Sequence, residues 1–323
     1  MKAAVIAENG IEIRDIPAPE PKPNEVLVAV RACGLNRADL LMAAGTFNRY
    51  SGGTGVVAGL EWAGDVVAVG TDVQGLSEGD RVMCSGSGGY AEFAVADWGR
   101  SLPIPANNMT YEQAATLPVA LGTMHNAVIT AGRFRAGESI LVQGASSGVG
   151  LMALQIAKYV GAGLVIGTST NAARRTRLSE FGADLALDSA DTGWADAVLE
   201  ATAGQGVDLI IDQVSASVAN NNMKAAKVLG RIVNVGRLGG ASGEFDFDLH
   251  ALKRLDYIGV TFRTRSVEEI RSLTATMRTD LWDAVADGTL SLPIDRVFAL
   301  DDAAAAQVHM AENAHFGKIV LQV

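Results

Sequence analysis

One heptapeptide near the middle of the chain constrains the fold more than any other segment. Residues 144–150 read Gly-Ala-Ser-Ser-Gly-Val-Gly, where the apolar run 139–144 gives way to the helically spaced run 148–161. Small residues between a buried strand and a helix let a ligand approach the backbone, and the helix N-terminus adds free N–H groups and the positive end of a dipole. The sequence therefore predicts a strand–turn–helix unit with a binding site at its turn.

Strands and helices continue to alternate after this turn. Further apolar strands are predicted at 163–168, 207–212, 230–236 and 258–262, and helices at 172–183 and 216–228. Continuous apolar strands that alternate with helices indicate a parallel sheet covered by helices on both faces.

The first 120 residues have a different pattern. Short apolar or alternating runs, separated by proline- and glycine-rich turns, occur at 2–7, 11–14, 25–32, 64–69, 80–83 and 90–95. Short strands with frequent turns predict a barrel-like or sandwich domain. The tail from about residue 266 carries helical stretches at 267–287 and 301–314 and ends in a predicted strand at 317–323.

Two dehydrogenase motifs overlap in the 144–150 turn. In the Rossmann G-x-G-x-x-G/A fingerprint the key positions are Ala145, Ser147 and Gly150, so the context is right but two glycines are replaced by small residues. The G-x-x-x-G-x-G form is similar to the short-chain dehydrogenases. Those enzymes need a Tyr-x-x-x-Lys pair, which no tyrosine of this chain provides.

The same string also contains G-x-S-x-G, the nucleophile elbow of serine hydrolases. Ser146 would then be the nucleophile, followed in chain order by an acid such as Asp212 and by His309 or His315. A tight turn that binds nothing is a further alternative. The alternation of strands and helices favours the dinucleotide interpretation over both.

The segment after the next predicted strand distinguishes between the two nicotinamide dinucleotides. About 20 residues past the glycine turn, an NAD site places Asp or Glu on the ribose 2′-hydroxyl. Residues 168–175 instead read Thr-Ser-Thr-Asn-Ala-Ala-Arg-Arg, with no carboxylate to repel a 2′-phosphate. Because arginine is well shaped for bidentate phosphate contacts, the sequence predicts NADPH. The alternative for these arginines is an ordinary solvated helix face.

Charge and cysteine content exclude several classes of protein. The formal net charge is −10 and there is no basic run, which argues against a nucleic-acid partner. The two cysteines, Cys33 and Cys84, exclude a disulfide framework and a four-cysteine zinc site. No signal-peptide pattern and no uncharged apolar stretch of about 20 residues is visible. We therefore expect a cytoplasmic protein with no membrane partner.

With these pieces in order, nearly the whole chain resembles the medium-chain dehydrogenase/reductase superfamily, and most closely its zinc-independent quinone oxidoreductase branch. The matching segments are Cys33-Gly34-Leu35-Asn36-Arg37-Ala38-Asp39, Gly59-Leu60-Glu61, 64–67, 79–82, Gly89-Tyr90-Ala91-Glu92, Leu117-Pro118 with Thr123, and Gly317-Lys318-Ile319-Val320. The resemblance implies an α/β protein with a GroES-like, β-rich catalytic domain at 1–122 and 265–323. It further implies a Rossmann domain, a doubly wound parallel sheet that binds NADPH, at 123–264.

The resemblance also implies roles for individual residues. Asn36 and Thr123 would hydrogen-bond the nicotinamide amide or the substrate carbonyl, unless Asn36 is a turn residue and Thr123 a helix-surface residue. The diphosphate would lie on Ala145, Ser146, Ser147, Gly148, Val149 and Gly150. The 2′-phosphate would be taken by Thr168, Ser169, Thr170 and Arg174. The nicotinamide would be flanked by Gly236 (alternatively a strand terminator), Arg237, Leu238, Phe262, Arg263 and Thr264, and the cofactor closed from the tail by Asn313.

The family's metal-dependent members use a Cys and a His of the first domain as zinc ligands. Here Leu60 occupies the His position, so we predict no metal and expect Cys33 to be a small buried hydrophobe. Several relatives place a tyrosine where this chain has Phe47. Tyr50, three residues later, or water would then donate the proton.

The activity implied is hydride transfer from NADPH to a quinone or an α,β-unsaturated carbonyl. A reductase of enoyl thioesters or alkenals shares the fold and mechanism and is the alternative within this class. The alternatives from other classes are a serine hydrolase and a catalytically idle NADPH-binding protein. The last nucleotide-domain strand, 258–262, lies where family members join edge to edge, so we expect a homodimer.

Overall fold

The computed structural model describes residues 1–8, 10–44, 53–106 and 108–323. It divides the chain into two compact units: unit 1 comprises Met1–Ala120 and Phe262–Val323, and unit 2 comprises Leu121–Thr261. The domain limits expected from the sequence, 122/123 and 264/265, lie close to these limits. Where the functional domains begin and end stays a prediction.

The elements of both units are numbered in chain order. The strands are β1 (Lys2–Ala7), β2 (Gly10–Asp15), β3 (Glu25–Gly34), β4 (Glu61–Val69), β5 (Arg81–Ser85), β6 (Phe93–Asp97), β7 (Ser101–Pro103), β8 (Ser139–Val142), β9 (Leu164–Thr168), β10 (Leu185–Leu187), β11 (Val207–Asp212), β12 (Ala226–Asn234), β13 (Asp256–Gly259), β14 (Ile294–Ala299) and β15 (Lys318–Gln322). The α-helices are α1 (Arg37–Ala43), α2 (Tyr111–Ala114), α3 (Pro118–Met124), α4 (Gly148–Tyr159), α5 (Ala172–Arg175), α6 (Trp194–Ala201), α7 (Ala219–Ala225), α8 (Phe247–Lys253), α9 (Val267–Ala286) and α10 (Ala303–Ala311).

Unit 1 is built on a mainly antiparallel sheet with the order β14-β15-β3-β4-β5-β7, and β6 also pairs with β3. Its core includes the fully buried side chains of Val28, Trp62 and Tyr90. Strand β15 pairs antiparallel with β3, with Leu321 opposite Cys33. This pairing brings the tail of the chain into the same sheet as the first 34 residues and positions Lys318 beside the start of α1.

Unit 2 contains a six-stranded sheet with the order β10-β9-β8-β11-β12-β13, in which every pairing is parallel. The central strands are buried on both faces, which explains their continuous apolar sequences. Strand order runs outward in opposite directions from β8 and β11, and such a switch point is where open parallel sheets bind ligands, at the carboxyl ends of the strands. The fold class, a β-rich domain with a Rossmann-type parallel-sheet domain, is confirmed.

Two predicted helices are much shorter than expected. Of the helix predicted at 172–183, only α5 and a 3-10 turn at Leu178–Phe181 form. After Arg175 the N–H of Arg177 donates to the carbonyl of Arg174 at 3.2 Å and that of Glu180 to the carbonyl of Arg177 at 3.1 Å, which is the i→i−3 spacing of a 3-10 turn. Of the helix predicted at 216–228, α7 stops at Ala225, because Ala226 pairs with Val207 and starts β12. Tertiary strand pairing overrides helix propensity there.

Candidate functional site

The 144–150 turn connects the carboxyl end of β8 to α4 in unit 2. Gly144 has a φ of +68°, a backbone conformation that residues with a side chain rarely adopt. A Cβ at Gly150 would lie 2.6 Å from the carbonyl oxygen of Gly144, so only glycine lets the helix start this close to the turn. Ser147 caps α4, its Oγ accepting from the N–H of Gly150 at 3.1 Å.

This geometry fits a dinucleotide diphosphate. The 12-residue helix α4 presents first-turn N–H groups that lack partners within the helix, at the switch point of the sheet. Ala145, Gly148 and Gly150 are buried, and Ser147 and Val149 are half-buried. The hydroxyl of Ser146 has another hydroxyl as its partner, Ser169 Oγ at 3.0 Å, and not an imidazole as in a hydrolase triad.

A hydrogen-bonded relay of buried neutral side chains, those of Gln143, Thr168 and Asn222, supports the 144–150 turn. Thr168 Oγ1 donates to Gln143 Oε1 at 2.7 Å and accepts from the N–H of Gly144 at 3.1 Å. Gln143 Nε2 in turn donates to Asn222 Oδ1, on α7, at 2.9 Å. All three side chains are fully buried. The hydroxyl of Thr168, which the sequence assigns to the 2′-phosphate, is therefore engaged inside the protein.

Gln213 extends the same relay to the start of α4. Its Nε2 donates to the backbone oxygen of Gln143 at 3.1 Å, and its Oε1 lies 3.0 Å from Ser147 Oγ. Sequence reasoning missed Gln143, Gln213 and Asn222. The available signal was that Gln143 and Gln213 each directly follow a buried strand, where a polar side chain faces the sheet edge.

The segment expected to bind the 2′-phosphate follows β9. Ser169 is buried and Thr170 is exposed, while Arg174 is half-buried and its backbone N–H donates to Asn171 Oδ1 at 2.9 Å. Arg175 Nη1 donates to the backbone oxygen of Ser169 at 2.9 Å and lies 3.0 Å from Asp188 Oδ2. The structure thus brings a carboxylate to this segment, which the local sequence did not predict.

The ends of β11 and β12 hold the residues expected near the nicotinamide. Asp212 is fully buried and burial raises the pKa of its carboxyl, whose Oδ1 accepts from the N–H groups of Val214 and Ser215 at 2.9 and 2.8 Å. Ser215 has a φ of +68°, and its Oγ donates to the carbonyl of Gly236 at 2.5 Å. This hydroxyl joins the two strand ends.

Gly236 packs tightly on the turn after β11, since a Cβ there would lie 2.6 Å from the carbonyl oxygen of Gln213. Arg237 and Leu238, the next two residues, are exposed. Thr123, near the end of α3 in unit 2, is half-buried.

Unit 1 contains a buried ionic cluster around Asn36, formed by Asn36, Glu61 and Lys318. Lys318 Nζ donates to Glu61 Oε1, to Asn36 Oδ1 at 3.0 Å and to the backbone oxygen of Leu35 at 2.7 Å. Asn36 Nδ2 donates to Glu61 Oε1 at 2.9 Å, and Glu61 Oε2 accepts from the N–H of Val119 at 2.8 Å. Glu61 and Lys318 appear in the sequence motifs, but nothing in those motifs predicted that they pair.

A second buried carboxyl adjoins this cluster. Asp39 Oδ2 accepts from the N–H of Asn36 and from Tyr90 Oη, both at 2.7 Å. Burial raises the pKa of Asp39 to about 7, against the opposing effect of the Tyr90 hydrogen bond. Burial also raises the pKa of the Tyr90 hydroxyl well above its usual range.

The remaining expected site residues lie in unit 1. Phe262 is half-buried and Arg263 and Thr264 are exposed, just before α9. Asn313 is exposed with a φ of +56°, and its Oδ1 accepts from Arg37 Nη2. Phe47 and Tyr50, which bear on the proton donor, lie outside the described residues.

The first-domain residues do not fit a zinc ion. Cys33 is fully buried, its thiol donates to the carbonyl of Gly89 at 2.8 Å, and burial raises its pKa far above the usual range. Leu60, where the metal-dependent members have a histidine, offers no atom that could bind a metal. Across the described residues, no group of three or more His, Cys, Asp or Glu side chains is arranged to hold a metal.

Among the helices that the structure describes, none is both long and apolar enough to span a bilayer.

Comparisons with known proteins agree with this architecture. Residues 22–106 match the family described as the alcohol dehydrogenase GroES-like domain, and residues 148–278 match the one described as zinc-binding dehydrogenase. The quinone oxidoreductase of Rattus norvegicus is 30% identical over 315 residues, which cover 95% of this chain and 92% of the rat protein. A phenolphthiocerol/phthiocerol polyketide synthase of Mycobacterium tuberculosis is also 30% identical over 98% of this chain, but the chain spans only 14% of that protein.

Solved structures of the same kind superpose over the whole chain. The mycobacterial protein Rv1454c, complexed with NADPH, is 26% identical with a TM-score of 0.89, and all of each chain is covered. The CurK enoyl reductase is 25% identical with a TM-score of 0.88, covering 99% of each chain. The chain therefore belongs to the medium-chain dehydrogenase/reductase superfamily of oxidoreductases, in its quinone oxidoreductase branch.

Proposed function

We propose that this protein is an NADPH-dependent oxidoreductase that transfers hydride to a quinone or an α,β-unsaturated carbonyl without a catalytic metal. The observation that carries the proposal is the glycine turn at the switch point of the unit 2 sheet, next to a segment with two arginines. The rat relative, a quinone oxidoreductase, and the NADPH complex of Rv1454c support it.

The residues that would hold the cofactor fall into two groups in unit 2. Residues 145–150 would bind the diphosphate through backbone N–H groups, and Ser169, Thr170 and Arg174 would bind the 2′-phosphate. When bound, the nicotinamide supplies the hydride, while the protein binds, orients and excludes water. The relay of Gln143, Thr168 and Asn222 would keep the turn in shape before the cofactor arrives.

The substrate needs a donor for the oxygen that becomes negative as the hydride arrives. The amide nitrogen of Asn36 makes two hydrogen bonds: it donates to Glu61 Oε1 at 2.9 Å and to the carbonyl of Gly34 at 3.4 Å. We propose that a nicotinamide or substrate oxygen replaces the Gly34 carbonyl as the acceptor of the second N–H, because that bond is the longer of the two. Thr123 would also hydrogen-bond the nicotinamide amide or the substrate carbonyl. Tyr50, or water in its place, would donate the proton.

A reductase of enoyl thioesters or alkenals is the second candidate. The similarity to the CurK enoyl reductase and to a polyketide synthase favours it. A panel of quinones, alkenals and enoyl thioesters, assayed with NADPH at one concentration, would rank the two by kcat/KM. Turnover of none of them, with NADPH still bound, would instead support a non-catalytic NADPH-binding protein.

We also propose that the protein forms a homodimer through the edge of the unit 2 sheet. Strand β13 is the outer strand at one of the two edges of this sheet, and helix α8, which precedes it, exposes 77% of Phe247 and 72% of Leu252. Exposed apolar side chains beside an open edge are typical of an interface. Light scattering should give about twice the chain mass for the wild type and a monomer for Phe247→Asp. A monomeric wild type would refute the dimer.

The first experiment is a titration with NADPH and with NADH, followed by nicotinamide fluorescence. We expect NADPH to bind more tightly, and Arg174→Ala to weaken NADPH by about tenfold while changing NADH little, because only NADPH carries the 2′-phosphate. Arg177→Ala, which removes an arginine paired with Glu180, is the matched control. If neither nucleotide binds, the proposal fails, and a fluorophosphonate probe would then test Ser146 as a hydrolase nucleophile.

A further inference from the structure

A carboxylate from the neighbouring strand lies at the segment proposed to bind the 2′-phosphate. Strand β10 runs parallel to β9, with Leu187 opposite Thr168, and the N–H of Ser169 donates to the carbonyl of Leu187 at 3.1 Å. Asp188, the first residue after β10, is therefore next to Ser169, the first residue after β9. The two strand ends meet although they are far apart in sequence.

Asp188 is held in place and paired. Its Oδ1 accepts from the N–H of Ala190 at 2.9 Å, and its Oδ2 lies 3.0 Å from Arg175 Nη1. The same Nη1 donates to the carbonyl of Ser169 at 2.9 Å, so Arg175 is fixed between the two strand ends. The side chains of Arg175 and Asp188 are only 22% and 35% exposed, which limits screening of their charges by solvent.

The two adjacent arginines of α5 are therefore not equivalent. The charge of Arg175 is offset by Asp188, whereas Arg174, one position earlier, is the arginine assigned to the phosphate. An anion beside Ser169 experiences the sum of these charges. The negative charge of Asp188 would oppose the dianionic 2′-phosphate of NADPH but would have little effect on the neutral 2′-hydroxyl of NADH.

We propose that Asp188 is a specificity-determining residue, which offsets Arg175 and thereby sets how strongly the site prefers NADPH over NADH. This inference rests on the proposed NADPH site. It assigns the selectivity to the ion pair between Arg175 of α5 and Asp188, which follows β10, and not to the segment after β9 alone.

The test is a double-mutant cycle read out by the Kd values of NADPH and NADH, from fluorescence and from calorimetry. Asp188→Asn should tighten NADPH by about three- to tenfold and change NADH by less than about twofold. Arg175→Ala should weaken NADPH by a similar factor, because it leaves Asp188 uncompensated. The double variant restores the original net charge and should return the Kd ratio close to that of the wild type. High salt should shrink all these differences.

The matched control is Asp184→Asn, which removes the same charge just before the other end of β10. Asp184 is paired with Lys158 at 2.6 Å, as Asp188 is with Arg175. We expect no change in the Kd ratio for this control. Thermal unfolding of each variant, and Asp188→Ser as a second neutral replacement, separate loss of charge from loss of structure.

If Asp188→Asn and Asp188→Ser leave the NADPH-to-NADH ratio unchanged while Arg174→Ala alters it, Asp188 only ties two strands and the inference is overturned. An equal change for Asp184→Asn would also overturn it, since the effect would then be one of overall charge. If the wild type binds neither nucleotide, the proposed function itself has failed. The results thus distinguish the two failures.

Discussion

The two units stabilise their candidate site residues by different chemistry. In unit 1, Asn36 is held by a buried ion pair, Glu61 and Lys318. In unit 2, the glycine turn is held by neutral amides and a hydroxyl, those of Gln143, Thr168 and Asn222. Buried ions are costly to leave unpaired and respond to pH, whereas a neutral relay loses only hydrogen bonds and is indifferent to pH. Mutational sensitivity should therefore differ between the units.

The largest expected effect is in the ionic cluster. Lys318→Met should lower the free energy of unfolding by about 3–5 kcal/mol, because it leaves Glu61 buried without its cation. The double variant with Glu61→Gln should recover much of this loss, since no unpaired charge remains. Urea unfolding monitored by tryptophan fluorescence measures both. A Lys318→Met variant as stable as the wild type would remove the basis of the comparison.

The next effect is a pH dependence that originates in Asp39 of unit 1. Burial raises the pKa of Asp39 to about 7 in the folded protein, whereas an unfolded Asp has a pKa of about 3.9. The folded state therefore binds this proton more tightly, and the contribution of Asp39 to stability falls as pH rises from about 4 to about 7.

The matched variant for this pH effect is Asp39→Asn. Its stability relative to the wild type should rise over the same pH range, by at most about 4 kcal/mol. Asp188→Asn serves as the control, because Asp188 is partly exposed and lies in unit 2. A flat difference between pH 4 and 8 would contradict the prediction.

The smallest effect is in the neutral relay. Gln143→Leu should cost about 1–3 kcal/mol, because it leaves Asn222 Oδ1 without its donor and Thr168 Oγ1 without its acceptor. The loss should be independent of pH between 5 and 8, and NADPH should bind more weakly because the turn is less well ordered. Gln155→Leu, a half-buried glutamine of α4 outside the relay, is the control. Unfolding curves at two pH values and NADPH titrations measure both effects. A stability loss that changes with pH would contradict the prediction.

The sequence predicted the parts of this molecule that depend on local pattern. Strands β8, β9 and β11 are mainly apolar runs because both of their faces are buried. The glycine turn is recognisable because Gly144 has a positive φ and a Cβ at Gly150 would lie 2.6 Å from the carbonyl oxygen of Gly144. The prediction of one helix at 172–183 was wrong because the backbone after Arg175 adopts the i→i−3 bonds of a 3-10 turn.

The parts that could not be predicted are contacts between residues distant in sequence. The pairing of Asp188 with Arg175 depends on which strand lies beside β9, and that of Lys318 with Glu61 depends on β15 joining β3. Gln143 and Gln213 were visible as polar residues at strand ends, but their common relay follows only from the strand order. Strand order is a tertiary property that no local periodicity encodes.

The pairing of β15 with β3 has a consequence for synthesis on the ribosome. Unit 2 is one continuous segment, Leu121–Thr261, whereas the sheet of unit 1 needs residues 318–322 beside residues 32–34. We expect unit 2 to acquire its structure during translation and the first 120 residues to wait for the last strand. Limited proteolysis of stalled nascent chains ending near residue 310 would check this, with unit 2 protected and the first 120 residues cleaved. During that interval Glu61 has no lysine to neutralise it, so we expect the first 120 residues to be accessible to chaperones and proteases until β15 is made.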